Sequence, residues 1–141
     1  MDELFFEPIE GTCEQIDVLY SLLLERSGGI SHRNIPSETE HKKFVLNSPY
    51  RGWFLVRRDC GYCGAFYLKE DNSIGVNLVN KYDVTDVANI IKFIETRFSP
   101  LEELKSVRAP HFHINVSATD KKLCDTLETL GKSKLQVTYV V

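Results

Sequence analysis

The sequence has no apolar run approaching the roughly 18 residues that cross a bilayer, so no membrane span is expected. It opens on MDELFFEP, which is acidic and lacks the basic and apolar regions of a secretory signal. The expected location is therefore the cytoplasm. A basic excess is also missing, because 17 Lys and Arg against 20 Asp and Glu leave a net charge of −3. Nucleic-acid binders concentrate basic charge on one face, so neither nucleic acid nor membrane is an expected partner. Repeats, low-complexity tracts and linkers are absent. A chain of 141 residues suits one domain, residues 1–141, with its own hydrophobic core.

Cysteine is sparse, with four in all: Cys13, Cys60, Cys63 and Cys124. Cys60 and Cys63 form a C-x-x-C, but in RRDCGYCGAF it falls where a hairpin turn is expected. A redox pair would instead open a helix, whose dipole lowers a thiol pKa. A zinc knuckle would need a second pair of ligands, and His111 and His113 are the spaced candidates. Ordinary packing and turn thiols, with no metal, are the expectation. A thiol or metal protein built on Cys60 and Cys63 remains a third reading, after the two given below.

The elements follow from periodicity and punctuation. LFFEPI (4–9) reads as a strand. Thr12 and Gln15 have capping-box spacing, and Ile16, Leu19, Tyr20 and Leu23 recur at helical spacing up to Gly28 and Gly29. Ser37 and Glu40 repeat that spacing before a short second helix. Three strands then follow, YRGWFLVRRD (50–59), CGAFYLKE (63–70) and SIGVNLVN (73–80), joined by turn-forming Asp-Cys-Gly and Asp-Asn-Ser. The helix over 85–98 carries the apolar stripe Val87, Ile90, Ile91, Ile94 and Phe98. LEELKS (101–106) suggests a helical turn, and HFHINVSA (111–118) a buried strand. Thr119 would cap a fourth helix with Leu123, Leu127 and Leu130 on one face and Gly131 as its stop. LQVTYVV (135–141) closes as a strand. The class is α/β in the broad sense: a mixed α+β sheet in the order β-α-α-β-β-β-α-β-α-β, with a helical crossover to a later strand.

This order resembles the GNAT superfamily of acetyl-CoA-dependent N-acetyltransferases over nearly the whole chain. The stretches SHRNIPSETEHKKFVLNSPYRGWFLV (31–56), DCGYCGAFYLKEDNSIGVNLV (59–79) and INVSATDKKLCDTLETLGK (114–132) carry the resemblance, the last with the Leu130-Gly131 pair. It implies a GNAT-like acyl-CoA N-acyltransferase fold, in which fourth-strand backbone groups at Asn77, Leu78 and Val79 hold the pantetheine arm of acetyl-CoA. It also implies a glycine-rich pyrophosphate loop at the start of the third helix, where amides and the helix dipole meet the phosphates.

Here the chain departs from the family. The join NKYDVTD (80–86) contains no glycine, and of the motif positions only Ala88 fits. Asp83 stands where a cation is common and Asp86 where glycine is expected. Carboxylates at a helix start cap free amides, and each repels a diphosphate by roughly 1 kcal/mol at surface-like dielectric. Asp120 replaces the family's asparagine before the fourth helix, and Leu127 its general-acid tyrosine. Tyr82 and Tyr139 lie near enough to be candidates, and Lys81 offers one compensating charge.

The resemblance places the acceptor near His32 and Arg33, between the first two helices, and near Tyr50 and Trp53. His32 could serve as the base and Tyr82 as the acid. His111 and His113 share one face of a strand and could line a pocket or bind a metal, or could be a polar strand end with one satisfied histidine. The implied function is direct transfer of an acetyl or acyl group to an amine of a small molecule or amino sugar, with a possible homodimer. The alternative is a non-catalytic GNAT-fold binding or assembly module that has lost acetyl-CoA binding.

Overall fold

A computed structural model describes residues 3–27, 35–79 and 81–141. The elements are β1 (Phe5–Pro8), α1 (Cys13–Ser27), α2 (Glu38–Leu46), β2 (Gly52–Arg58), β3 (Gly61–Leu68), β4 (Ser73–Leu78), α3 (Val84–Arg97), β5 (His113–Ile114) and α4 (Lys121–Thr129). Contacts gather them into two units, Met1–Lys81 with Ser99–Asn115, and Tyr82–Phe98 with Val116–Val141.

The first unit is built on a five-stranded sheet in the order β1-β2-β3-β4-β5. β1 to β4 pair antiparallel, and β4 pairs with β5 in parallel. Alternation sends successive side chains to opposite faces. Leu55 and Ala65, opposite one another, face a core with Ile16, Leu19 and Leu22 of α1, Val45 of α2, and Val79. On the other face Phe54 stacks on Phe66 at 5.2 Å, and Phe6 meets Phe66 edge-on at the same distance.

Two buried polar side chains tie the loops of this unit to its sheet. The capping-box spacing predicts that Gln15 returns to the start of its own helix, and its backbone amide does donate to the Thr12 hydroxyl as cap. Its side chain reaches further upstream instead, accepting from the Glu10 and Gly11 amides and donating to Glu7 and the Pro8 carbonyl. α1 is thereby fastened to the end of β1. Asn72, fully buried in the β3–β4 turn, donates to the Leu101 and Ala109 carbonyls and accepts from the Leu101 amide. Its own carbonyl receives the His113 amide at 3.2 Å, so the turn also seats β5. Residues 101–106 form no helical turn. Leu104 and Arg108 bridge one another through paired backbone bonds, closing a tight loop around Ser106 at φ 64°.

The second unit consists of α3, α4 and the residues beyond them. Val87, Ile90 and Ile94 of α3 are buried at the spacing the sequence shows. In α4 the buried side chains are Leu123 and Thr126, and Leu127 is half-buried. Asp120, not Thr119, caps α4 by accepting the Leu123 amide, while Thr119 turns to Ser117. The far end follows expectation. Gly131 takes φ 81°, and the Gly131 and Lys132 amides close on Glu128 and Leu127 in a Schellman motif. The segment expected as a final strand is not one, and its side chains are exposed, from Val137 at 61% upward.

Candidate functional site

The fourth strand carries the main feature. The Lys69 amide donates to the Ser73 carbonyl, and the Val79 amide to the Cys63 carbonyl. In an antiparallel pair the bonded residues alternate, so Gly75 and Asn77 also direct their backbone groups to β3. Val76 and Leu78 therefore present theirs to the opposite edge. There β5 pairs only at Ser73 and Ile74 and goes no further, because the strand expected over 111–118 is limited to two residues. Past Ile74, the β4 edge is left without a strand partner among the described residues. Of the three positions read from the sequence, Leu78 lies on this edge, while the backbones of Asn77 and Val79 face β3. Val76 joins Leu78 there, and no sequence signal marks it, because register alone decides which residues face outward.

On the face toward α1 and α2, Trp53, Tyr67 and Gly75 lie opposite one another across three strands. Tyr50 stacks on Tyr67 with centroids 4.1 Å apart and planes within 2°, and Trp53 meets Tyr50 edge-on at 4.8 Å. Phe44 of α2 packs on both Tyr50 and Trp53. Burial, followed by the neighbouring Tyr67, pushes the Tyr50 phenol up to about 12, so it stays protonated at neutral pH. Tyr50 and Trp53 thus belong to one aromatic cluster. His32 and Arg33 lie outside the described residues.

At the start of α3, Asp83 and Asp86 form a capping box. The Asp83 side chain accepts the Asp86 amide and the Asp86 side chain accepts the Asp83 amide, each at 3.0 Å. A helix start leaves four amides without intrahelical partners, and these carboxylates take two of them. Ala88 lies in the second turn, where its amide is committed to the helix. The local chemistry is that of a closed helix terminus with two negative side chains, the opposite of a phosphate cradle.

Near this terminus, in the same unit, the Lys122 ammonium sits 3.9 Å from the Tyr82 ring centroid, a cation–π contact. Burial, then the Asp120 carboxylate, raises the Tyr82 phenol above its ordinary value. Tyr139 is 82% exposed.

The remaining candidates stand apart. Cys60 and Cys63 occupy the β2–β3 hairpin as free thiols, and Cys63 reaches the Val56 carbonyl at 3.6 Å. His111 and His113 have ring centroids 6.3 Å apart, and the His113 Nδ1 is buried without a hydrogen-bond partner. Burial would raise the nearby Asp71 carboxyl, but hydrogen bonds from Ser73, with smaller pulls from Lys69 and His113, hold it below its ordinary value. No group of three His, Cys, Asp or Glu suited to a metal occurs among the described residues. Among them, too, no helix is long and apolar enough to cross a membrane.

Compared by sequence, the chain matches no family model and no curated protein. Compared by structure, it is similar to the aminoglycoside N-acetyltransferase AAC(6')-Iy in complex with CoA, with TM-score 0.62 and 8% identity over all of this chain and 95% of that one. A possible acetyltransferase from Clostridium difficile 630 also has TM-score 0.62 at 8% identity, covering 98% of this chain and 95% of the other. The Campylobacter jejuni N-acetyltransferase PseH, in complex with acetyl coenzyme A, has TM-score 0.59 at 11% identity, covering 96% and 92%. With its sheet order, helix placement and these likenesses, the chain has the fold of the GNAT acetyltransferases.

Proposed function

We propose that this protein is a divergent acyl-CoA N-acyltransferase that holds its donor mainly by the pantetheine arm. The observation that carries this reading is the β4 edge, where Val76 and Leu78 present backbone amides and carbonyls beyond the last residue paired with β5. A pantetheine arm is itself a chain of amides, and such a chain fits a strand edge as another strand does. CoA and acetyl coenzyme A accompany neighbours of the same fold, which supports the same class of donor here.

The amine of a small molecule or amino sugar would attack the thioester carbonyl directly. A tetrahedral adduct forms, the C–S bond breaks, and the thiolate takes a proton while the nitrogen loses one. An outward amide on β4 is suited to the oxyanion. His32 is the proposed base and Tyr82 the proposed acid, with Arg33, Tyr50 and Trp53 on the acceptor side. The cytoplasm is the proposed compartment.

The phosphate end of the donor fits poorly. Asp83 and Asp86 close the α3 terminus with their own carboxylates, so no pyrophosphate contact is assigned to it. That observation favours the second reading, a binding or assembly module in which the fold persists without the donor.

Calorimetry with acetyl-CoA and with S-acetylpantetheine separates the two. The enzyme reading expects both to bind with similar affinity, because the diphosphate adds little. Failure of both at millimolar concentration would overturn it and leave the module.

A further inference from the structure

The two faces of β4 differ in chemistry. Ile74, Val76 and Leu78 belong to the face that carries Phe54 and Phe66, and all three are apolar. Gly75, Asn77 and Val79 belong to the face toward α1 and α2. There the Asn77 carboxamide donates to the Leu22 carbonyl of α1 at 3.5 Å, and the far end of the Tyr67 side chain lies across Gly75. The Tyr67 hydroxyl oxygen would stand 2.5 Å from a Cβ at Gly75. A Cβ lies about 3 Å from the next residue's nitrogen, so this hydroxyl is within about 6 Å of the outward Val76 amide. The Tyr50 and Tyr67 phenols share a hydrogen bond. A hydroxyl has one hydrogen and two lone pairs, so Tyr67 keeps capacity for a further partner.

We propose that the Tyr67 hydroxyl receives the attacking amine, accepting its N–H and aiming the nitrogen lone pair at the thioester carbon. The inference rests on the acyl-CoA reading and adds to it the side from which the acceptor comes. A donor laid along β4 as an added strand holds its carbonyl in the plane of the sheet, bonded to an outward amide. The two open faces of the carbonyl carbon then look toward the two faces of the sheet. From one side a nitrogen meets Val76 and its apolar neighbours, which offer no hydrogen bond. From the other it meets Tyr67, beside the half-buried Tyr50 and Trp53. Tyr67 forms no covalent bond and gives up no proton.

Calorimetry on the full chain with two unreactive CoA thioethers tests this. S-carboxamidomethyl-CoA and S-acetonyl-CoA hold the same carbonyl, but the first carries an NH2 where the second carries a methyl group. The parent should bind the first about 5-fold more tightly, the worth of one hydrogen bond. Tyr67→Phe keeps the ring on Gly75, so its circular dichroism and its affinity for S-acetonyl-CoA should match the parent, while the 5-fold preference disappears. Failure of both thioethers to bind the parent at millimolar concentration would overturn the acyl-CoA reading and this inference with it. Binding of both without preference, a preference that survives in Tyr67→Phe, or an equal loss for both ligands in the variant would overturn this inference alone.

Discussion

The ring of Tyr67 lies directly on Gly75, so a Cβ added at Gly75 would stand 2.1 Å from the Tyr67 Cζ. The two residues are partners across β3 and β4, and the missing side chain makes room for the ring. Tyr50 stacks on the same ring.

Gly75→Ala should therefore displace the tyrosine stack. Forcing a methyl into a packed site costs about 1–3 kcal/mol. Tyr67→Ala alone should destabilise as well, but combining it with Gly75→Ala should cost less than the sum, because the clash vanishes. Urea denaturation of the two single variants and the double variant measures the coupling. Strict additivity would show that the ring does not depend on the glycine.

Asn72 should be among the least replaceable residues of the chain. It is fully buried, takes φ 71°, and its side chain makes three hydrogen bonds to backbone 29 and 37 residues away. Asn72→Gly keeps the left-handed backbone and loses the bonds, whereas Asn72→Ala loses both. Each orphaned buried group costs about 1–3 kcal/mol, so Asn72→Gly should lose about 3 kcal/mol or more and Asn72→Ala more still. Hydrogen exchange at the Leu101 and His113 amides should accelerate in both. An Asn72→Ala variant as stable as the parent would show that Asn72 does not anchor these loops.

These two sites show where sequence legibility ends. The strands of the meander and the stripe of α3 follow local rules of period and propensity, so they can be read directly. The Ser37–Glu40 and Asp83–Asp86 capping boxes are equally local, since each links residues three apart. Asn72 reads only as a turn residue, because its partners come from a distant loop. The lie of Tyr67 on Gly75 and the outward turn of Val76 depend on register, which composition does not encode. The strands expected at 111–118 and 135–141 have the right alternation, yet pairing stops at Ile114 in the first and does not begin in the second. Alternation shows that a segment can pair, while the available edge decides whether it does.

Stability should rise with pH across the range in which His41 titrates. Its side chain is 6% exposed on α2, packs 5.1 Å from Tyr20 of α1, and has a buried Nε2 without a partner. Burial lowers its pKa, and a hydrogen bond to the Ile16 backbone only partly opposes this. The folded pKa thus lies below the unfolded value of about 6.5. The unfolded chain binds the extra proton first as pH falls, so stability is complete above that value and declines below it toward the folded pKa. His41→Phe should flatten this dependence between roughly pH 6.5 and the onset of carboxylate titration near 4. Thermal melts of both proteins across that range give the comparison, and an unchanged slope in the variant would place the titrating group elsewhere.

The carboxylates at the start of α3 give the last prediction, because their structural and electrostatic roles can be separated. Asparagine caps a helix about as well as aspartate, so Asp83→Asn with Asp86→Asn should keep most of the capping while removing both negative charges. Stability should change by no more than about 1 kcal/mol. If the donor's phosphates approach this terminus, relieving about 1 kcal/mol of repulsion per charge should tighten CoA binding by about 10- to 30-fold. S-acetylpantetheine, which lacks the diphosphate, should bind the variant no better than the parent. The contrast between the two ligands isolates the phosphate contribution from any change in the fold. Equal gains for both would mean that the aspartates act on the pantetheine site or on folding. No gain for either would place the phosphates away from α3 and leave the β4 edge as the donor's main hold.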